Sequence, residues 1–383
     1  MGGTSADGSC DYMTRLLRRP ILALIALTIL GLLHTWTGFA DGPAAVGPAA
    51  AAEALIQGKH WKRARAILQP LVATHPQDAR DCDLLAQVRM AFKDFDGALP
   101  LAQRAVDLDG KNSNFHLTLG KIFGGMASRA SLLSAGPLAI KFRRELEAAI
   151  ALNPANLVAL DSMMLFKFQA PSVMGGSKDE ARSLADRITV LNASEGYLDH
   201  AELAELENNS AQVEAFYWKA VQADPKNYDA RILLAAFYSK SPHMKLDEST
   251  KQAQFALQLD PSRIEARWVL ARVFALQQRW DNLELTLVNT EKDVPDDLRP
   301  YYEAAEGLLE ISRDFPRAEG YAKKYLSQEP EAEEPDAADA HRLLGLVFER
   351  EGRNGEARAE MQTALRLNSN FKAAKEDLRR LGK

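Results

Sequence analysis

Residues 343–368 have the sequence LLGLVFEREGRNGEARAEMQTALRLN. This stretch predicts two amphipathic helices joined by a turn, with Gly345 in the first helix and Ala364 near the end of the second. Two such helices cannot bury their apolar faces alone, so one pair needs similar pairs stacked beside it. The stretch therefore predicts that the rest of the chain repeats it.

Two series of positions do recur along the chain. In the first, a core residue stands five positions before a residue that ends a helix, usually proline, because proline cannot continue the hydrogen-bond ladder. In the second, a small residue typically follows a core residue, which lets neighbouring helices approach closely. Intervals of 34 residues separate positions 85 and 119, 200 and 234, and 261 and 295. The first series contains Leu71/Pro76, Ala105/Gly110, Ala149/Pro154, Ala220/Pro225, Ala256/Pro261, Thr290/Pro295, Tyr325/Pro330 and Ala364/Ser369, and the second contains Leu85-Ala86, Leu119-Gly120, His200-Ala201, Leu234-Ala235, Leu270-Ala271 and Leu344-Gly345.

These positions resemble the tetratricopeptide repeat family. The resemblance implies an all-α fold, a right-handed superhelical solenoid of about nine helix-turn-helix repeats over residues 41–371, with residues 372–383 as a C-terminal cap helix. The chain is also similar to exported bacterial members of this family and, distantly, to the periplasmic helical-repeat component associated with TRAP-type transporters. The repeats are expected to begin near residues 45, 79, 113, 157, 194, 228, 264, 299 and 338.

The N-terminal residues 1–40 have the pattern of a secretory signal peptide. A basic segment with Arg15, Arg18 and Arg19 precedes an apolar run from residue 21 to residue 33, and Gly38-Phe39-Ala40 forms a small-x-small cleavage site. We expect translation to begin at Met13 and cleavage to follow Ala40. The protein would then be periplasmic or secreted, with an inner-membrane anchor formed by residues 21–40 as the alternative.

Composition narrows the functional classes. Without residues 1–40 the chain carries 44 basic and 50 acidic residues, a balance that argues against nucleic-acid binding, which needs a basic face. Of the two cysteines only Cys82 lies beyond residue 40, so no intramolecular disulfide can form after cleavage. The fold must therefore be stabilised by packing.

The segment PSVMGGSKDEA, residues 171–181, superficially suggests a phosphate-binding loop. Such a loop requires G-x-x-x-x-G-K-[ST] after a strand, whereas here the order is Gly-Gly-Ser-Lys after a helical pattern. Ser177 and Glu180 instead have the spacing of a capping box that opens a helix. We therefore interpret the segment as a turn between two helices.

Two repeats are longer than the others between their first and second helices. Residues 124–137 and 171–177 are rich in Gly and Pro, which predicts loops on one edge of the solenoid that touch each other. These loops would either bind a partner or pack on each other. The apolar and cationic residues proposed for binding there are Met126, Arg129, Leu132, Leu133, Val173 and Met174.

Catalytic and metal-binding patterns were not found in the sequence. The six histidines beyond residue 40 show no metal-ligand spacing, Cys82 lies in a predicted helix that contains no histidine, and no G-x-S-x-G is present. The lysine and asparagine positions with which chaperone-binding members of the family clamp a carboxylate are not matched. Trp268 and Arg272 lie one helical turn apart on a face expected to line the groove and are candidate anchors. The alternative for Trp268 is packing against Tyr238 or its neighbours.

The sequence thus favours a non-enzymatic scaffold without cofactors that binds a protein or peptide in the cell envelope. The alternative is a small-ligand-binding component that works with a transporter, in which residues 124–137 and 171–177 roof a pocket. An enclosed apolar cavity at that place would favour the ligand hypothesis, and an open groove would favour a protein partner. Contact with a membrane is expected only through an uncleaved N-terminal segment.

Overall fold

The structure is a computed structural model that describes residues 47–240, 242–332 and 335–382, apart from the side chains of Leu132 and Leu133. In these ranges it contains nineteen α-helices, a short 3₁₀ helix at Ser172–Met174 and no strand. The predicted all-α fold is confirmed. None of these helices combines the length and the apolar character needed to cross a membrane. The predicted signal peptide, residues 1–40, lies outside the described residues.

The described residues form nine successive helix-turn-helix hairpins, which begin close to the nine positions expected from the repeat. An additional helix, α19 (Lys372–Leu381), follows the ninth hairpin. The hairpins are α1 (Pro48–Gln57) with α2 (Trp61–Thr74), α3 (Ala79–Ala91) with α4 (Phe95–Leu108), α5 (Ser113–Arg129) with α6 (Leu132–Leu152), α7 (Leu157–Gln169) with α8 (Lys178–Leu191), α9 (Ala193–Leu206) with α10 (Ser210–Ala223), α11 (Tyr228–Ser239) with α12 (Leu246–Leu259), α13 (Glu265–Leu276) with α14 (Trp280–Asp293), α15 (Arg299–Glu310) with α16 (Phe315–Tyr325), and α17 (Ala337–Arg350) with α18 (Asn354–Leu367).

Proline residues end the second helices as the sequence predicts. Helices α2, α6, α10, α12 and α14 each end two residues before a proline of the first series. Proline lacks the backbone N–H that the next turn would need, so the helix stops and the chain turns into the next hairpin. Pro330 is the exception, because α16 already ends at Tyr325.

The chain divides into two compact units, which we call the N-terminal unit (residues up to Ala159) and the C-terminal unit (residues from Leu160). The same polar tether occurs in each. In the N-terminal unit the Ser113 hydroxyl donates to the carbonyl of Ala149 over 2.8 Å and accepts from the Asn156 amide over 2.8 Å. This tether ties the start of a first helix to the end of its second helix and to the start of the next hairpin. The equivalent residues of the C-terminal unit are Ser194, Ala220 and Asn227, with both distances 2.9 Å.

Small residues allow the helices of a hairpin to pack closely. A Cβ atom added to Gly345 would lie 3.0 Å from Met361 Cε and 3.2 Å from the carbonyl oxygen of Ala357. At Gly120 it would lie 3.1 Å from Glu145 Cβ. Larger residues would push the two helices apart, so at Gly120 and Gly345 the second series marks close contacts between helices.

The first long insertion is not the loop that its glycine and proline content predicts. Helix α5 continues to Arg129 and α6 begins at Leu132, so the inserted residues lengthen both helices. Gly125 lies inside α5, where a side chain would collide with Phe95: an added Cβ would be 2.2 Å from its ring. The position therefore requires glycine. Pro137 is the sixth residue of α6, in its second turn. Gly124, which faces Phe142, and Gly125 serve close packing between helices instead of a turn.

The second insertion is a turn, as predicted. Gly175 has φ 92°, a left-handed conformation that glycine adopts without strain, and Gly176 lies so close to Ala170 that a side chain would collide with its carbonyl. The Ser177 hydroxyl caps α8 by accepting from the Glu180 amide over 3.2 Å. The Glu180 side chain pairs with Lys167 at 2.6 Å instead of completing the capping box.

Candidate functional site

The first helices of successive hairpins form one layer of the C-terminal unit. In this unit α9 contacts α11, α11 contacts α13, α13 contacts α15, and α15 contacts α17. We call the outer surface of this layer the first-helix face. Because these helices pack directly on each other, their side chains form a continuous surface across several repeats.

Helix α13 lies in the middle of this layer and is almost completely buried. Trp268 is its only residue that is not buried, although its indole also packs against the apolar core that extends from α11 to α19. The position of Trp268 is thus intermediate between the two alternatives of the sequence analysis. The indole contributes to the core and keeps part of its surface exposed.

Arg272, one helical turn after Trp268, is buried rather than exposed as expected for an interface anchor. Its Nη1 lies 2.5 Å from Glu306 Oε2 and 3.6 Å from Glu303 Oε2, and its Nη2 donates to Glu310. Burial lowers the pKa of Arg272, but the three carboxylates of α15 raise it by more. The guanidinium therefore stays charged and ties α13 to α15.

The three carboxylates outnumber the cation that they face. Glu303 is the most buried of them, and burial together with the charge of Glu306 raises its pKa to about 7, although Arg272 and Lys240 act in the opposite direction. Lys240, an exposed residue directly after α11, is one of the cations whose charge lowers the pKa of Glu303. We call Lys240, Trp268, Glu303, Glu306 and Glu310 the Trp268 patch.

The other residues proposed from the sequence lie in two different units. Arg129 is exposed at the end of α5, where its Nη1 donates to the carbonyl of Lys93 over 3.0 Å and its guanidinium stands 5.6 Å from the Phe95 ring centroid. Met126 is partly buried in the same helix. The side chains of Leu132 and Leu133 are outside the described part of the structure. In the C-terminal unit Val173 is 92% exposed and Met174 is partly buried. Their joint role in binding stays a prediction.

The described residues contain one group of carboxylates with a geometry that a metal ion would accept. Asp161 on α7 and Asp199 and Glu202 on α9 each offer an oxygen within 4.8 Å of the others, and both aspartates are buried. Oxygen ligands of this kind suit Mg²⁺ or Ca²⁺. Its members come from two repeats, with Asp199 and Glu202 lying 38 and 41 residues after Asp161, so no local spacing in the sequence reveals the group.

The N-terminal unit contains the buried thiol and a groove. Burial raises the pKa of Cys82, so the thiol is protonated at neutral pH and is a poor nucleophile.

A groove of about 560 Å³ lies between α2, α3 and α4 and is lined partly by Val72, Leu85, Arg89 and Pro100. Residues 124–137, which the ligand hypothesis placed over a pocket, do not line this groove.

Comparison with known proteins gives similarity in structure only. No family model and no curated protein matches the chain. The yeast Tom70 structure covers 87% of this chain and 87% of its own, at 13% identity and a TM-score of 0.49. A tetratricopeptide repeat protein from Parabacteroides merdae covers 69% of this chain and 99% of its own, at 14% identity and a TM-score of 0.46. A thermophilic protein of the same class from Thermus thermophilus covers 50% of this chain and 96% of its own, at 18% identity and a TM-score of 0.44.

Proposed function

We propose that the protein is an exported, non-enzymatic scaffold that binds another protein in the cell envelope through the first-helix face of its C-terminal unit. The observation that supports this proposal is the Trp268 patch, where a partly exposed indole stands one helical turn before Arg272, and two carboxylate partners of Arg272 on α15 reach the surface of an otherwise well-packed helix layer. Tryptophan is enriched among the residues that dominate binding energy at protein interfaces. The patch thus offers an aromatic anchor with polar surroundings.

The repeat architecture supports the same proposal. Stacked hairpins present a surface that extends over several repeats, which is how solenoid proteins bind long segments of a partner. In the C-terminal unit the helices α9, α11, α13, α15 and α17 carry eleven acidic and six basic residues, whereas the second helices α10, α12, α14, α16 and α18 carry ten and eight. The excess of negative charge is thus larger in the first-helix layer.

Export is supported by the composition of residues 1–40. Cell fractionation followed by N-terminal sequencing tests it: we expect a soluble envelope product that begins at Asp41. A membrane-bound product that still begins at Met13 would contradict cleavage and would favour the anchored alternative.

The binding function is tested by cross-linking in intact cells that express the tagged full-length chain. We expect the wild type to capture a defined set of envelope proteins that the double variant Trp268→Ser/Glu306→Lys loses. The variant Glu248→Lys serves as a control, because Glu248 lies on the second helix α12 and resembles Glu306 in exposure. If the wild type captures nothing above the tag alone, the scaffold proposal is wrong.

A further inference from the structure

The turn from α17 into α18 leads to the only asparagine–glycine pair in the sequence, Asn354-Gly355. These are the first two residues of α18, and both are exposed. The side chain of Asn354 makes no hydrogen bond with the described residues. A Cβ atom added to Gly355 would meet no atom within 4 Å. The pair therefore has free space around it, and water reaches it.

An exposed asparagine before glycine is open to a reaction within the chain. The backbone nitrogen of Gly355 loses its proton and bonds to Cγ of Asn354, and the side-chain nitrogen leaves with that proton as ammonia. Water then opens the resulting succinimide ring at one of its carbonyls, which leaves aspartate or isoaspartate at position 354. Glycine favours ring formation because it carries no Cβ beside the attacking nitrogen and restricts the backbone least.

The attacking nitrogen lies in the part of α18 that is held least firmly. The first four N–H groups of a helix have no partner within the helix, and that of Gly355 is one of them. Arg353, the N-cap residue, adds no side-chain hydrogen bond there. Ring formation requires the backbone at Asn354 to leave the helical conformation, which breaks the bond of 3.0 Å from the Ala357 N–H to the Arg353 carbonyl. Glycine at the second position weakens the helix and makes this opening easier.

Seven other asparagines are held by their side chains. In each of them the side-chain oxygen accepts from a backbone N–H two or three residues later, which fixes Cγ in a cap or a turn. These residues are Asn112, Asn153, Asn156, Asn192, Asn209, Asn227 and Asn368. None of them is followed by glycine. Asn354 thus differs from them both in its neighbour and in its free side chain.

We propose that Asn354 is a spontaneous modification site, at which the exposed amide is converted to aspartate or isoaspartate as the protein ages. The proposal does not depend on the scaffold function. Aspartate adds a negative charge at the start of α18, where the helix dipole favours it. Isoaspartate adds a methylene to the backbone, so the helical hydrogen bonds cannot continue through position 354. The start of α18 then loosens near the place where Gly345 of α17 packs close to the Ala357 carbonyl.

Peptide mapping by mass spectrometry tests the proposal on purified full-length protein kept at mildly alkaline pH, which promotes loss of the amide proton. Chromatography separates the aspartate and isoaspartate products. We expect Asn354 to be converted before any other asparagine. Asn282 is the matched internal control, because it also lies in the first turn of a second helix, α14, whose N-cap Arg279 gives no side-chain bond. The proposal fails if Asn354 stays intact or if Asn282 is converted as fast.

Two variants test the mechanism. Gly355→Ala should slow the conversion of Asn354 by about fivefold or more, because alanine favours the helix and its Cβ crowds the attacking nitrogen. Gly320→Ala is the matched control: Gly320 is also an exposed glycine of a second helix, and an added Cβ would meet no atom within 4 Å. It should leave the rate at Asn354 unchanged. Equal rates in Gly355→Ala and the wild type, or equal slowing by both variants, would overturn the attack by the Gly355 nitrogen.

Discussion

Asp83 in the N-terminal unit and Glu303 in the C-terminal unit are both carboxyl groups on first helices, and the pKa of each is raised to about 7. Their surroundings differ. Asp83 is held by neutral donors, since the Gln87 amide donates to its Oδ2 over 2.7 Å and the Thr118 hydroxyl also hydrogen-bonds it. Glu303 lies 3.6 Å from the Arg272 guanidinium and shares it with two other carboxylates.

Burial thus raises a carboxyl pKa in two distinct settings. At Asp83 desolvation raises the pKa, and only hydrogen bonds from neutral donors oppose it. The carboxyl group is therefore neutralised by binding a proton. At Glu303 a cation is present, yet the neighbouring Glu306 offsets part of its effect. Protonation is thus the means of neutralisation at Asp83, whereas at Glu303 a guanidinium and two further carboxylates also act on the group.

The largest loss of stability is expected when Arg272, the cation beside Glu303, is replaced. Arg272→Met leaves three carboxylates facing each other without a guanidinium, and loss of one partner from a buried ion pair costs about 3–5 kcal/mol. Hydrogen exchange of α13 and α15 should report this loss, while amides of the N-terminal unit stay protected because repeats contact mainly their neighbours.

The control for Arg272→Met is Arg380→Met. The Arg380 side chain is 53% exposed and also pairs with two carboxylates, Glu349 and Asp377. An exposed pair contributes about 1 kcal/mol or less. Equal loss of protection in both variants would contradict the assignment of a buried charge cluster to Arg272.

The next effect concerns Asp83 and depends on pH. Its folded-state pKa lies above its ordinary value of 3.8, so stability is present below that value and is lost as the pH rises towards about 7. Asp83→Asn keeps the acceptor for Gln87 and removes the titration. We expect the variant to be about 2–4 kcal/mol more stable than the wild type at pH 8 and nearly equal to it at pH 4, measured by urea denaturation.

Asp107→Asn is the matched control for this prediction. Asp107 is exposed and accepts from Gln103 over 3.0 Å, the same pairing of Gln and Asp four residues apart. Its substitution should leave the pH dependence of unfolding unchanged. A difference in stability between Asp83→Asn and the wild type that is the same at pH 4 and at pH 8 would refute the role given to Asp83.

A smaller pH effect is expected at Glu303. The stability that Glu303 contributes is lost between its ordinary pKa of 4.5 and about 7, a narrower interval than that of Asp83. Part of the shift in its pKa comes from the charge of Glu306 rather than from burial. We expect Glu303→Gln to raise stability at pH 8 by about 1–2 kcal/mol. The same substitution should gain more in the Arg272→Met background, because the opposing cation is gone. Equal gains in the two backgrounds would show that Arg272 does not act on Glu303.

The hairpins could be predicted from the sequence because the residues that define them lie close together in the chain. Each signal belongs to one repeat: a proline two residues after the second helix, and a small residue where the two helices cross. The starts of the helices could therefore be predicted from the repeat pattern. The glycines of α5 misled the interpretation of residues 124–137 because their reason lies elsewhere. Gly125 meets Phe95, thirty residues earlier and on another hairpin, and no local pattern reveals such a contact.

The candidate site was predicted only in part for the same reason. Trp268 and Arg272 were recognised by their spacing on α13, but the burial of Arg272 depends on α15, a full repeat later. A signal was present in the spacing of Glu303, Glu306 and Glu310, which places three carboxylates on one side of a helix. Matching that helix face to the cation of the preceding repeat would have predicted the ion pairs.

The smallest expected effect concerns a feature that the two units share. Ser113 and Ser194 make the same pair of hydrogen bonds, over 2.8 Å and 2.9 Å. Ser113→Ala and Ser194→Ala should therefore each cost about 1 kcal/mol, since a buried carbonyl and a buried amide lose one partner. Ser183→Ala is the control, because the exposed Ser183 hydroxyl only bonds the carbonyl of Asp179 in its own helix. Urea denaturation checks all three variants. The free energies of unfolding of the two tether variants should differ by no more than that of the control differs from the wild type. A larger difference would show that the contribution of a tether depends on its unit, and the contrast between the units would extend beyond their buried carboxyl groups.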